Sequence, residues 1–358
     1  MSTHQKKERY PHFGRRKKLR AVDLFSGCGG LSEGLRQAGF KVVGAIECDE
    51  LAVESYRRNH PGVKLVAEKI QDVETEKFRR HLKLEVGELD LLAGCPPCQG
   101  FSSMTTLNGK LPKNDERNDL VYQFVRFVWE FLPKTIMMEN VPGLADDQRL
   151  REIRANLSEL GYESEVAVLN AADYGVPQRR RRMILLAGLN GKIPFAPASQ
   201  ERQTVAQAFG IFADGAFSTD RLHTLGERRN PEVMKLIRDI PVDGGSRNDL
   251  GPARQLKCHI ECDGFKDVYG RMAWNDVAPT ITGGCCNPSK GRFLHPEEHR
   301  SITLREAAIL QSFPPDYYFS LDRGKFAAAQ MIGNALPPEF IRRQALQLIR
   351  NLTDTITS

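Results

Sequence analysis

The chain has 358 residues, 41% hydrophobic and 27% charged, enough to bury one large core and a smaller second one. No run of about 18 apolar residues occurs and the amino terminus is polar and basic, so neither a membrane span nor a secretory signal is expected. The net charge of +6 is uneven, because residues 1–20 hold eight Lys or Arg against the single acid Glu8, and everything after sums to −1. The basic excess therefore reads as an arm, either touching phosphates or merely solvated.

From Leu19 onward short apolar runs alternate with helical patterns, the mark of βαβ units and a parallel sheet. Residues 21–25, 42–46, 89–92 and 135–138 read as strands. Between them Leu31, Leu35 and Ala38 recur at helical spacing until Gly39 stops them, and 118–132 reads as a long helix ending before Pro133. Candidate strands at 163–169 and 183–187 complete a doubly wound, mostly parallel sheet of about seven strands. After Gly188 the texture changes: Pro, Gly and Asn become frequent, strands are short, and no long helical period returns until Leu304. Pro337 and Pro338 then mark a helix start, followed by Ile341, Ala345 and Ile349 at four-residue spacing. The expected organisation is a basic arm at 1–18, an α/β domain from 19–190 with 320–358, and a smaller irregular domain at 191–319.

The segment Leu92-Ala-Gly-Cys-Pro-Pro-Cys-Gln-Gly-Phe-Ser102 ends a strand at a stiff turn and presents Cys98 at the strand's carboxyl end, where ligands bind in open α/β sheets. Cys95 and Cys98 also match C-x-x-C, so a redox pair is the competing reading, with Cys95 otherwise structural. Phe25-Ser-Gly-Cys-Gly-Gly30 opens the first helix with glycines that let backbone approach an anion, yet lacks the G-x-G-x-x-G pyrophosphate fingerprint. A carboxylate, such as the methionine end of S-adenosylmethionine, suits Phe25, Ser26, Gly27, Gly29 and Gly30. Glu47 ends the second strand about twenty residues on, placed to accept both hydrogen bonds of a ribose diol or else to cap a helix.

Five segments stand in fixed order with the cysteine loop: Asp23–Leu31, Glu139-Asn-Val-Pro-Gly143, Gln178-Arg-Arg-Arg-Arg182, Arg305–Pro314 and Gln330–Leu336. Together they resemble the ordered motifs of the DNA cytosine-5 methyltransferases across nearly the whole chain, least between about 190 and 300. The resemblance implies the Rossmann-like fold of S-adenosylmethionine-dependent methyltransferases with a target-recognition domain, and methylation of a cytosine flipped out of a short double-stranded DNA sequence. Carbon 5 of cytosine is a poor nucleophile, so a thiolate must first add at carbon 6, and Cys98 is the nucleophile. Charge then develops on ring nitrogen 3, which Glu139, partly desolvated after an apolar strand, meets with a proton. Gln178, Arg180 and Arg182 share one face of an extended segment, and by the resemblance orient Glu139 and contact the cytosine oxygen and a phosphate. Asn334 belongs to the cofactor wall by the same resemblance, and 305–314 braces the second lobe.

Where the family carries an acidic residue for the adenine amino group, this chain has Lys69, with Glu68 and Asp72 as possible substitutes. The second lobe, 191–300, holds 15 Lys or Arg against 14 acids, so specificity must come from individual side chains, with Arg271, Trp274, Asn275, Thr280, Thr282 and Arg292 as candidates. Cys258, Cys262, Cys285 and Cys286 match no common zinc spacing, and no metal is expected. The implied setting is bacterial cytoplasm or nucleoid, a monomer on DNA, with a cognate restriction endonuclease as a possible partner. A tRNA cytosine-5 methyltransferase, which has a reduced recognition lobe, and a non-catalytic DNA-binding regulator are the alternatives.

Overall fold

The computed structural model describes residues 18–97, 120–251, 254 and 267–357. Seven strands form one sheet in the order β3-β2-β1-β4-β5-β7-β6. They are β1 (Arg20–Leu24), β2 (Lys41–Ile46), β3 (Lys64–Val66), β4 (Leu91–Gly94), β5 (Thr135–Asn140), β6 (Glu163–Asn170) and β7 (Arg181–Gly188). Every neighbouring pair is parallel except those of β7, which runs antiparallel to β5 and to β6. The expected mostly parallel sheet is present. β4 lies two residues later than the apolar run alone indicates, because pairing starts at Leu91 against Ala21 and Thr135. The Asp90 carboxylate before it accepts the Arg20 N–H and the Lys134 ammonium.

Burial on both faces makes the strands nearly continuous apolar runs, and alternate residues serve different cores. Val22, Leu24, Leu92, Ile136, Met138, Met183 and Leu185 face one side, with α3 (Thr75–His81), α4 (Leu120–Phe131) and α5 (Gln148–Glu159). Ala21, Leu91, Ala93, Met137, Ile184 and Leu186 face the other, against α1 (Gly30–Ala38) and the long α11 (Pro338–Thr357). The helix ends carry their own signals: Gly39 caps α1 at φ 113°, and the Asp49 side chain caps α2 (Glu50–Asn59) by accepting the Ala52 N–H at 2.9 Å.

The second lobe is built otherwise. Among the described residues it has no ladder, only isolated bridges such as Arg271 with Leu294, and short helices α6 (Val205–Phe209), α7 (Arg221–Thr224) and α8 (Pro231–Asp239). The nine-residue α8 is a difference from the sequence reading; its apolar period spans only Val233 to Ile237, too short to stand out as a long helical pattern. Its core joins Val205, Phe209, Met272, Ile281 and Phe293 to α9 (Leu304–Leu310) and α10 (Gly324–Asn334), and it also takes in Cys28 from the first lobe.

A polar network lies beneath the end of β1. Buried Asp23 accepts the Ser32 hydroxyl at 2.6 Å, Ser32 meets the Tyr56 hydroxyl at 2.6 Å, and Asp23 Oδ1 has no partner among the described residues. Burial pushes the Asp23 carboxyl from the ordinary 3.8 up to about 7, opposed by the Ser32 hydrogen bond. Between those two values the folded chain holds a proton that the unfolded chain has lost, so this group takes away stability as pH rises through the window.

Two outcomes are expected. Asp23→Asn should gain on the wild type as pH rises from 4 to 8 in urea titrations, by on the order of 4 kcal/mol at most; a pH-independent difference would refute the buried acid. Gly34 faces α11, where a Cβ would lie 2.5 Å from the Pro338 carbonyl, whereas Gly62 has nothing within 4 Å. Gly34→Ala should therefore cost about 1–3 kcal/mol of unfolding free energy, and Gly62→Ala should stay within about 0.5 kcal/mol.

Candidate active site at the carboxyl ends of the strands

Strands β1, β2, β4 and β5 all finish at one edge of the sheet, at Leu24, Ile46, Gly94 and Asn140. Because β7 runs the opposite way, its beginning reaches the same edge, with Asn140 opposite Met183 and Glu139 opposite Ile184. Buried Glu139 therefore receives the Arg182 guanidinium, Nε to Oε1 at 2.9 Å. Burial raises the Glu139 pKa, and Arg182, Arg180 and a hydrogen bond from Cys95 hold it back. The Cys95 thiol, pushed well above its usual range by burial, stays protonated beside that carboxyl. Asn140, absent from the sequence-derived site, donates its Nδ2 to the Pro96 carbonyl at 2.8 Å and accepts the Val141 N–H at 2.8 Å. It thus ties the start of the cysteine loop to β5. Cys98 itself and the loop up to residue 119 lie outside the described residues.

The alternation read from the arginine run is present: Gln178 and Arg180 are buried and Arg182 is half-buried, while Arg179 and Arg181 are exposed. One task differs from the expectation. Gln178 does not orient Glu139; its amide donates to the Leu310 carbonyl and Gln311 Oε1 and accepts the Ile281 N–H. Arg182 alone pairs with Glu139, and Arg180 Nη1 donates to the carbonyls of Ile281 and Gly333, each at 3.0 Å. Arg180 Nε has no partner among the described residues.

At the other end of the edge, Phe25 and Gly27 adopt positive φ, 60° and 54°. Glu47 stands at the end of β2 and accepts the Gly27 N–H at 2.7 Å on one oxygen and those of Cys48 and Asp49 at 2.8 Å on the other. It secures the turn and the approach to α2, and the oxygen that accepts only Gly27 keeps a lone pair for a further donor. The glycines divide by task. A Cβ on Gly29 would strike His60 and Tyr317 at 2.6 Å, and one on Gly30 the Leu336 carbonyl at 2.3 Å, so both are packed from behind rather than facing a ligand. Gly27 has nothing within 4 Å, and the buried Ser26 hydroxyl beside it lacks a partner among the described residues. An open glycine, an unspent hydroxyl and a carboxylate oxygen with a spare lone pair fit the polar ends of an adenosyl cofactor. Asn334, the exposed last residue of α10, stands on the carboxyl side of Gly333, whose Cα touches the Thr282–Gly283 backbone.

Two recognition candidates change role. Arg271 is fully buried and spends its guanidinium on the carbonyls of Ile237, Ile240, His295, Glu297 and Glu298 and on His299. Arg292 holds Asp267 and the carbonyls of Gly244, Gly245 and Arg271. Arg271 has no hand free for a base edge and Arg292 has committed Nε and Nη1, whereas Asn275 and Thr282 are exposed. Arg305 does brace the second lobe, donating to Asp220 at 2.6 Å and the Tyr317 carbonyl at 2.9 Å. Cys285 and Cys286 are buried free thiols, no metal-ligand cluster occurs among the described residues, and Cys258 and Cys262 lie outside them.

The family model for C-5 cytosine-specific DNA methylases matches residues 19–350. The Type II methylase M.HgiDII of Herpetosiphon aurantiacus is 33% identical over 330 residues, covering 88% of this chain and 91% of that protein. The Type II methyltransferase M.XorII of Xanthomonas oryzae is 33% identical over 365 residues, covering 92% and 84%. A crystal structure from Escherichia coli described as a prophage-encoded DNA modification methyltransferase superposes with a TM-score of 0.72 at 25% identity, covering 94% of this chain and all of that one. With the buried Glu139–Arg182 pair at the strand ends and the motifs in order around it, the chain belongs to the C-5 cytosine-specific DNA methylases and is a DNA cytosine-5 methyltransferase.

Proposed function

We propose that the enzyme works through a covalent adduct of Cys98 with carbon 6 of a cytosine rotated out of double-stranded DNA. The observation that carries this reading is Glu139, buried beside Arg182 and next to the anchored start of the cysteine loop. Addition of the Cys98 thiolate pushes an electron pair toward ring nitrogen 3, which Glu139 meets with a proton, its acid form favoured by burial. Carbon 5 becomes an enamine carbon able to take a methyl group. Loss of its proton then expels the thiolate and restores the ring. S-adenosylmethionine supplies the electrophilic methyl when bound, with Phe25, Ser26, Gly27, Glu47 and Asn334 as the residues that would hold it. Gly29 and Gly30 serve that site by letting the turn sit tightly on His60, Tyr317 and the Leu336 backbone. Arg180 and Arg182 stabilise charge developing on the base, and Arg182 holds Glu139.

The sequence read on the DNA belongs to exposed side chains of the second lobe, with the basic arm, residues 1–17 of it outside the described residues, adding sequence-independent phosphate contacts. On this reading the protein is a cytoplasmic, monomeric modification enzyme with a cognate endonuclease as partner; the Type II naming of the relatives supports its modification role.

Bisulfite sequencing of DNA from a host lacking cytosine methylation tests the reading. The wild type should modify one short motif and Cys98→Ala none. No methylated DNA from soluble protein that binds S-adenosylmethionine, or methylation of RNA instead, would overturn it. Glu139→Gln should lower kcat by roughly 10²–10⁴. Because Glu139 acts in its acid form, the wild-type rate should fall on the alkaline side as the carboxyl loses its proton, and a pH-independent wild-type rate would remove its role.

A further inference from the structure

We propose that Gln178 and Gln311 form a buried amide clamp that positions Arg180 against Glu139, joining the DNA-reading lobe to the catalytic group. Both side chains are fully buried. Gln178 Nε2 donates to Gln311 Oε1 at 2.9 Å and to the Leu310 carbonyl at 3.2 Å, while its Oε1 accepts the Ile281 N–H at 2.8 Å. Gln311 Nε2 donates to the carbonyl of Ile332 at 2.5 Å and of Ala335 at 3.4 Å. The two amides thus grip two stretches of backbone, one at Ile281 and one at 332–335. The same two stretches supply the carbonyls of Ile281 and Gly333 that Arg180 Nη1 donates to at 3.0 Å each.

The consequence is geometric. Ile281 is held by its N–H and serves Arg180 by its C=O, so moving Gln178 moves the acceptor. Gly333 is pressed on Thr282 so closely that a Cβ would lie 2.1 Å from its carbonyl carbon, which leaves the two acceptors little freedom relative to each other. A buried guanidinium is held where acceptors meet it, and for Arg180 those are the two carbonyls on Nη1. Leucines of similar volume would fill the space and still leave the register of the two segments unset, which is the work an amide pair does. The Ile281 stretch comes from the lobe that reads DNA and the Gly333 stretch from α10, so both report on Arg180.

The groups facing Glu139 are Arg180 and Arg182 from the β7 side and Cys95 from the loop after β4. Loosening Arg180 weakens one of the cationic pulls that hold the carboxyl down, so Glu139 should keep its proton to higher pH. This inference rests on the catalytic reading of Glu139 and Arg180. Gln311→Met and Gln178→Met are compared with the wild type by kcat, KM for DNA, cofactor affinity by calorimetry, and the pH profile of kcat. Expected are a fall in kcat of roughly tenfold to a hundredfold, KM and cofactor affinity within about twofold, and an alkaline limb displaced upward in pH. Combined with Arg180→Lys, the losses should not add. Should a methionine variant fail to fold, Gln311→Glu, which keeps the acceptor for Gln178 and loses the donor to Ile332, takes its place and should show the same displaced limb. A folded variant with wild-type kcat and limb, or losses additive with Arg180→Lys, overturns the clamp. If Glu139→Gln remains fully active, the catalytic reading fails instead.

Discussion

A carboxyl group buried at the edge of an apolar sheet must be compensated, and Glu139 sets the terms for what surrounds it. Desolvation works against its charged form, so an opposing cation has to reach it without itself being stranded. A wholly parallel sheet would deliver only the carboxyl ends of strands to this edge. Reversing β7 delivers an amino end, and with it Arg182 within 2.9 Å of Glu139 and Arg180 just behind. The antiparallel strand in an otherwise parallel ladder is thus the feature that lets acid and arginines meet on adjacent strands. Cys95, held protonated by its own burial, adds a hydrogen bond without adding charge.

The same economy governs the turn at the other end of the edge. Its glycines are squeezed from behind: Gly29 by His60 and Tyr317, Gly30 by Leu336, and the Tyr317 hydroxyl donates to the Cys28 carbonyl at 2.7 Å. Cys28 even belongs to the core of the second lobe. The rear of the turn is therefore fixed by the rest of the protein, and only the front, at Ser26 and Gly27, is open. A backbone held on one side in this way is pre-organised on the other, which lowers the ordering cost of holding a polar ligand.

The large lobe was legible in the sequence because its signals are local. Apolar runs bounded by Gly39, Pro133 and Pro338 mark elements whose residues alternate between two cores as period 2 requires. The order of the motifs sufficed to bring Glu139 and Arg182 together, and the alternation of the arginine run foretold which of its members are buried. What escaped depends on partners distant in the chain. Asn140 is bound to a carbonyl 44 residues away, Gln178 to an amide 133 residues away, and Asp23 lies under the turn with Ser32 and Tyr56. No spacing announces such contacts. A polar residue inside a strand that is otherwise apolar, as Asp23 is in Arg20–Leu24, was the one available hint.

The second lobe was opaque for a related reason, and Arg271 explains how it holds together. A lobe without ladders among its described residues leaves many carbonyls to be satisfied by something other than strand partners. Arg271 answers with one side chain, gathering five carbonyls from the end of α8 and from 295–298, and Arg292 gathers three more, including that of Arg271. From sequence, arginine in a Gly-rich stretch of a DNA enzyme reads as a base reader; in the fold its fork of donors replaces a sheet. Arginines spent in this way make the loops rigid, and rigidity is what lets exposed neighbours such as Asn275 and Thr282 be held in fixed directions. Short polar side chains are thus displayed on an arginine-pinned frame, in a lobe whose positive and negative charges nearly balance.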